Sequence, residues 1–313
     1  MPGFLSHYIA GQAVYHSIAP DIRKIIKQGE RLYNLGAQGP DIFFYCLPGI
    51  LRKRSRGVGK EMHQCDLGIF ITRMAHFAKN SVKSERDSIF TYTAGLIMHY
   101  VLDVHAHPYV YSQTYNNNAS VIKNSADHRI FETAIDIALL KLVSDKIPAD
   151  YHQWELINAE FEQLAIAATA MSKALKHVYN RQIPPKDVYQ AMRHMIHLTR
   201  LLRSKKGRRK KWMALAENLT IRQPIFSSMV HDQAVSNLND YLNEQKKPWK
   251  APWEETEFCT DSFIERYNQA VSEGLQTIQC LHGYVYENLP LKTLAEKLGN
   301  RSLKTGLPCG TTS

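Results

Sequence analysis

Three potential metal ligands, His99, Asp103 and His107, recur every four residues through a segment that is otherwise mostly apolar. On a helix, positions four apart stack along one face. The three side chains would rise one above the next, and Gly95 would continue the stripe as a gap. A second pair, His128 and Glu132, repeats the i, i+4 spacing farther along. Two such side chains on one helical turn can chelate a single ion. Imidazole nitrogen with carboxylate oxygen, and no thiolate, suits zinc in a hydrolytic site. Each pair needs further ligands, and His7, Asp41, His63 and His107 are the candidates. Asp103 lies about 6 Å along the axis from both His99 and His107, so its two oxygens can face two metals. Bridged metals stand roughly 3.5–4 Å apart, the spacing used for in-line displacement at phosphorus. His105 falls about 200° round the helix from Asp103 and is expected to point away. This favours His107 over His105 as a ligand, although Pro108 adjoins His107.

Helices must carry these groups. Residues 4–35 alternate apolar and polar at helical spacing, with a break at 19–21. His7 sits in the first turns; His16 has nothing near it to support a role. Gly36, Gly39 and Pro40 force an irregular turn that presents Asp41 above Phe43, Phe44 and Tyr45. Asp41 can cap the next helix, ligate a metal, or do both. The aromatics read as core more readily than as a cleft wall. Residues 52–60 form a basic, glycine-containing loop placed to attract anions at a rim. His63 stands near the start of a helix reaching about Asn80, with His76 on its surface or in its packing. Ser84, with Asp87 three residues later, reads as an N-cap. The ligand helix is therefore expected from Ser84 to about His107, where Pro108 ends it. A polar loop over 113–120 leads to a helix carrying His128 and Glu132 and continuing through Leu139.

Beyond residue 150 the periodicity stays helical but the ligand pattern stops. Helices are expected near 151–179, 185–204, 207–218, 226–245, 260–287 and 290–299, with no strand. His194 and His197, at i, i+3 without a carboxylate partner, read as packing or surface residues. Residues 203–211 hold seven basic residues in nine, a solvated connection more than a nucleic-acid contact. Trp249 and Trp253 lie in a proline-containing loop suited to docking on the core or on a membrane interface. Residues after Leu303 read as a frayed tail. The expected architecture is an all-α multi-helix bundle: a metal-binding core over 1–150, and a helical part over 151–313 packed on the same domain.

The bulk composition is that of a globular protein. The chain has 313 residues, 44% hydrophobic and 22% charged, enough to bury a large core. No run approaches the roughly 18 apolar residues of a membrane span. The start reads as having no leader peptide, so the expected location is cytoplasmic. Five cysteines, Cys46, Cys65, Cys259, Cys280 and Cys309, form no CxxC pair and are expected to be free thiols. A net charge of +10 favours anionic partners such as phosphates, anionic lipid surfaces or nucleic acid. Eight of the fourteen histidines fall within residues 1–128, where the other ligand types also cluster.

An ordered set of motifs resembles the zinc-dependent phospholipase C family, whose members include secreted bacterial phosphatidylcholine-cleaving enzymes and alpha-toxins. The set comprises Ser6-His7-Tyr8, Gly39-Pro40-Asp41, Met62-His63, His99 with Asp103, His107-Pro108-Tyr109, and His128 with Glu132. It covers about residues 5–140. The match looks closest to members without a signal peptide. The resemblance implies an all-α bundle of the phospholipase C and single-strand nuclease type, with additional helices after residue 150. It implies one zinc on Asp41, His63, His99 and Asp103, and a second on His107, His128 and Glu132. A third would use His7, Asp103 and the mature N-terminal residue. The chain departs from the family in three ways. His7 follows closely on Met1. The secreted phosphatidylcholine enzymes place a histidine after the proline where His107 precedes Pro108. The toxins' lipid-binding β-sandwich domain has no counterpart.

The activity implied is zinc-assisted hydrolysis of a phosphodiester, with Asp41 or a metal-bound hydroxide as base. The substrate would be a phospholipid or related phosphodiester, with peripheral membrane contact. Nuclease or phosphomonoesterase chemistry on the same site is the alternative, with nucleic acid the less favoured substrate. A helical protein that keeps zinc as a structural staple is a third reading. Head group and oligomeric state are not encoded in these motifs.

Overall fold

A computed structural model describes residues 3–46, 55, 57–144, 146–202 and 240–310. The fold is built around one long helix. In chain order the elements are α1 (Phe4–Ser17), α2 (Pro20–Lys27), α3 (Glu30–Gly36) and a 3-10 segment (Gly39–Tyr45). Next come α4 (Val58–Gln64), α5 (Leu67–Lys79), α6 (Lys83–Thr114), α7 (Val121–Val143) and α8 (Gln153–Ile157). The remainder are α9 (Phe161–Tyr179), α10 (Pro185–Leu202), α11 (Phe263–Tyr286) and α12 (Leu291–Leu298). Among the described residues there is no sheet, only isolated bridges pairing Trp249 with Cys259 and Arg301 with Pro308. No helix among them is long and apolar enough to cross a membrane.

Helix α6 is about 48 Å long at 1.5 Å per residue. Every residue from 88 to 104 is buried, because α1, α3, α5, α7, α9 and α11 all pack against it. A helix enclosed on all sides needs no polar face, so ligands on this one face protein rather than bulk water. Helix α3 crosses it at Gly95, where a Cβ would stand 2.1 Å from the Tyr33 carbonyl oxygen. Only a missing side chain lets α3 approach so closely.

Several boundaries differ from the sequence reading. Helix α6 starts at Lys83 with Val82 as its cap residue, and Ser84 makes no capping bond. Pro108 does not end it; α6 continues to Thr114 with the proline inside. The surrounding helices hold the backbone helical despite the lost N–H. His63 lies on the short helix α4, separated from α5 at Cys65 and Asp66, where Asp66 takes a left-handed φ of 66°. The 151–179 helix is divided into α8 and α9, and residues 240–245 form turns rather than a helix end. The helix expected at 207–218, most of that at 226–245, the basic run 203–211 and residues 52–54 and 56 of the loop 52–60 lie outside the described residues, and the end of that loop is helical instead, since α4 begins at Val58.

Two further expectations are overturned. Cys65 and Cys309 form a disulfide across 244 residues of sequence; Cys46, Cys259 and Cys280 are thiols outside any disulfide. Widely separated cysteines carry no spacing signal, so only the fold reveals the pair. Residues 304–310 are not frayed. Leu303 itself is fully buried, and residues 299–310 lie against α6 and the α4–α5 junction. The two tryptophans divide: Trp249 is in the core, while Trp253 is half-buried against Tyr111.

Candidate metal centre

The eight sequence-predicted ligands converge on one region, brought there by five elements. Helix α6 supplies His99, Asp103 and His107, α1 supplies His7, and the 3-10 segment supplies Asp41. Helix α4 supplies His63, and α7 supplies His128 and Glu132. His105 faces the other way, with Nε2 2.7 Å from Glu273 on α11.

Donor spacing fits a metal. Four ligands at the zinc distance of about 2.0–2.1 Å stand roughly 3.3 Å apart in a tetrahedron. His63 Nε2 lies 3.2 Å from Asp41 Oδ1 and 3.7 Å from Asp103 Oδ2. His99 Nε2 lies 3.2 Å from Asp103 Oδ2 and 4.0 Å from Asp41 Oδ1. In a neighbouring group, Glu132 Oε1 stands 2.8 Å from His128 Nε2 and 3.8 Å from His107 Nε2. The other oxygen of Asp103, Oδ1, is 3.3 Å from His7 Nε2. His7, Asp41 and His99 also fall within ligand-sharing distance of one another, and the His7 and His99 rings stack at 4.2 Å. Asp103 thus turns one oxygen toward His63 and His99 and the other toward His7.

The hydrogen bonds behind the rings set their tautomers. His63 Nδ1 donates to the Gly59 carbonyl at 2.6 Å, His99 Nδ1 to the Ala37 carbonyl at 3.2 Å, and His107 Nδ1 to the Leu303 carbonyl at 2.5 Å. A carbonyl can only accept, so each neutral ring carries its proton on Nδ1 and aims a bare Nε2 lone pair inward. His128 follows the same logic. The Thr114 hydroxyl donates to the Val110 carbonyl and stands 3.4 Å from His128 Nδ1, where it can accept. Gly39 makes room for His99: its φ is +53°, and a Cβ there would come within 2.3 Å of the imidazole.

Lone pairs therefore face carboxylate oxygens across ordinary contact distances. Among these inward-facing atoms, His7 Nε2, Asp41 Oδ1, His63 Nε2, His99 Nε2, both Asp103 oxygens and His107 Nε2 are buried and make no hydrogen bond. A single buried polar atom left this way costs about 1–3 kcal/mol, and seven clustered together are not tolerable without a cation or protons among them. Protonation is opposed at His107 and His128, whose pKa values burial pushes well below the imidazole range, and at His7, which burial also lowers. Burial alone would lower His99 too, but the Asp103 carboxylate outweighs it and raises the value. Burial would raise Asp103, yet the His107 and His99 rings hold it well below the usual carboxylate value. The donor set, all imidazole and carboxylate, is that of zinc.

A family model for zinc dependent phospholipase C matches residues 6–181, more than half of the chain. The chain belongs to the zinc-dependent phospholipase C family. No curated protein and no solved structure matches it. The family segment runs from α1 to the residues just after α9 and contains all eight ligand candidates. The zinc dependence of the family and the donor chemistry of the buried cluster agree.

One contributor escaped the sequence reading. Asp136, fully buried on α7, accepts from the backbone N–H groups of Leu5 and Ser6 at 3.0 and 2.8 Å and from the Ser6 hydroxyl at 2.6 Å. It closes the N-terminus of α1 and so places His7. It follows Glu132 by four residues and extends the stripe begun by His128, the one signal that could have found it. At the edge of the cluster stand Phe44, 49% exposed, with its ring 5.4 Å from His63, and Tyr111, 4.6 Å from His128. Trp253 lies edge-on to Tyr111, and the Lys304 ammonium sits 5.6 Å above that ring. Of the aromatics expected in the core, Phe43 is buried there, while Phe44 stands exposed at the edge instead.

Proposed function

We propose that this chain is a zinc-dependent phosphodiester hydrolase acting on a phospholipid or a related phosphodiester. One zinc would be held by Asp41, His63, His99 and Asp103, and a second by His107, His128 and Glu132. His7 would face a third across Oδ1 of Asp103; the N-terminal residue that would complete that site lies outside the described residues. The observation that carries the proposal is the convergence of seven buried polar atoms without hydrogen bonds, at the mutual spacing zinc ligands require.

Bound zinc would supply Lewis acidity at a phosphoryl oxygen and lower the pKa of a water toward about 7. The protein's own groups do the rest. Carbonyl-tethered imidazoles hold their lone pairs in place, so little reorganisation accompanies the reaction. Asp41 is the more solvent-facing carboxylate of its group, with 7% side-chain exposure against none for Asp103. Asp41, rather than a metal-bound hydroxide, would then take the proton of an attacking water and pass it outward. Phe44, Tyr111 and Trp253 give the edge of the site an apolar surface suited to acyl chains, and Lys304 adds a cation for an anionic head group. This rim favours a phospholipid over a nucleic acid.

Zinc analysis of protein purified without added metal should return at least two ions per chain. A panel of phosphatidylcholine, chromogenic phosphodiesters, phosphomonoesters and single-stranded DNA then separates the substrate classes. Absence of zinc with no uptake on titration would sink the proposal. Zinc without turnover of any substrate would leave a structural staple instead.

A further inference from the structure

Residues 299–310 lie outside the segment matched by the family model, yet they touch both halves of the candidate metal centre. The segment folds back on itself: Ser302 N–H donates to the Leu307 carbonyl, Gly306 N–H to Ser302, and Cys309 N–H to Asn300. On one side the Leu303 carbonyl accepts from His107 Nδ1. On the other, Lys304 N–H donates to the backbone carbonyl of His63 at 3.3 Å, and the Ser302 hydroxyl reaches the same carbonyl at 3.5 Å. The Cys309 disulfide then joins Cys65, two residues after His63.

Pro108 prepares the seat. Lacking an N–H, it cannot satisfy the Val104 carbonyl in the preceding turn. Gly306 lies against that carbonyl, so close that a Cβ would stand 2.7 Å from its oxygen and 3.4 Å from Pro108 Cγ. At φ +73°, Gly306 also takes a conformation that side-chain-bearing residues avoid. Leu303, fully buried, anchors the middle.

We propose that residues 300–309 are a strap that positions the metal centre. Its Leu303 carbonyl fixes the tautomer and direction of His107, and the Cys65–Cys309 disulfide pins the strap beside His63. This rests on the metal-site reading above. Leu303 is a positioning residue acting through its backbone. A partner behind a metal-bound histidine contributes about 10–100-fold in affinity, and the contact here is to the His107 side chain but only to the backbone of His63. The effect should therefore fall mainly on the half of the centre that contains His107.

The test is zinc titration against a chromogenic chelator for wild type, the double variant Cys65→Ser/Cys309→Ser, and Gly306→Ala, with helical content followed by circular dichroism. We expect one zinc equivalent to weaken tenfold or more in both variants, with the remaining zinc within threefold of wild type and helicity kept. Zinc-loaded wild type with 15N-labelled histidine should also show a slowly exchanging Nδ1–H on His107. Variants that bind every equivalent within twofold of wild type overturn the strap. So does absence of the protected His107 proton, a measurement that does not depend on how the variants fold. Wild type that takes up no zinc overturns the metal-site reading itself, and so distinguishes that failure from this one.

Discussion

Asp136 holds Ser6 across 130 residues of sequence, receiving both its backbone N–H and its hydroxyl. The next residue is His7. One helix thus carries two ligands of the candidate centre, His128 and Glu132, and one turn later the group that anchors the helix bearing a third. Asp136→Ala leaves the first N–H groups of α1 buried without an acceptor. It should cost at least about 2 kcal/mol in urea unfolding. Asp136→Asn should cost less, because the amide oxygen can still accept. An alanine variant as stable as wild type would remove Asp136 from this role.

The division of Asp103 and Glu132 between two groups of ligands makes their substitutions unequal. Glu132→Ala should remove one zinc and lower hydrolysis by about a hundredfold or more, the upper end of what even indirect partners of a metal contribute. The fold should survive, because Glu132 lies on a helix packed through other side chains. Asp103→Asn should cost more than one zinc, because both of its oxygens face imidazoles. Metal counting on the two purified variants checks this; equal losses would contradict a shared carboxylate.

Legibility from sequence followed the range of each interaction. The spacings of His99, Asp103 and His107, and of His128 and Glu132, are local, and helical geometry alone aligns them. His7, Asp41 and His63 are candidates by residue type, and only the ordering of motifs assigns them to particular zincs, because no local pattern ties a loop aspartate to a histidine on another helix. Asp136 was missed, since an acid in mid-helix does not say which helix end it meets. Leu303 could not be read at all: it acts through a carbonyl, which every residue has. Proline's usual meaning misled at Pro108, where tertiary packing keeps the helix going and the strap occupies the backbone it leaves open. The all-α class was legible because helical periodicity persists through most of the chain.

The buried histidines make the zinc-free protein acid-sensitive. In the unfolded chain they titrate near about 6.5. Burial holds His107 and His128 well below that in the folded state and lowers His7 as well. As the pH drops below the unfolded value, the unfolded chain takes up protons that the folded chain refuses at these three sites, so stability falls. His99 is raised, chiefly because Asp103 overcomes the effect of burial, so its stabilising contribution builds up as the pH falls toward the unfolded value and is constant below it. One raised imidazole against three lowered ones leaves the net slope toward instability. Urea unfolding of chelator-stripped protein at roughly pH 7.5 and 5.5 should show the lower midpoint at the lower pH. A midpoint that is unchanged or higher there would show that the folded cluster accommodates the protons.

On the proposed phospholipid activity, the rim is the part of the site that would tell a lipid substrate from other phosphodiesters. Phe44 is half exposed beside His63, and Trp253 stands behind Tyr111 at the His128 side. None of the three aromatics is among the candidate ligands, so their substitution leaves the metal set intact. If acyl chains lie on this surface, Phe44→Ala removes an apolar contact of about 1–2 kcal/mol. That raises KM for micellar phosphatidylcholine roughly five- to thirtyfold. A small chromogenic phosphodiester, which does not reach the rim, should keep its KM within about twofold, and kcat should hold for both. Lys304→Ala should weaken substrates with an anionic head group in a salt-dependent way. Equal losses on the lipid and the small substrate from Phe44→Ala would place that ring in the site's architecture instead, and the preference for phospholipid would have to come from elsewhere.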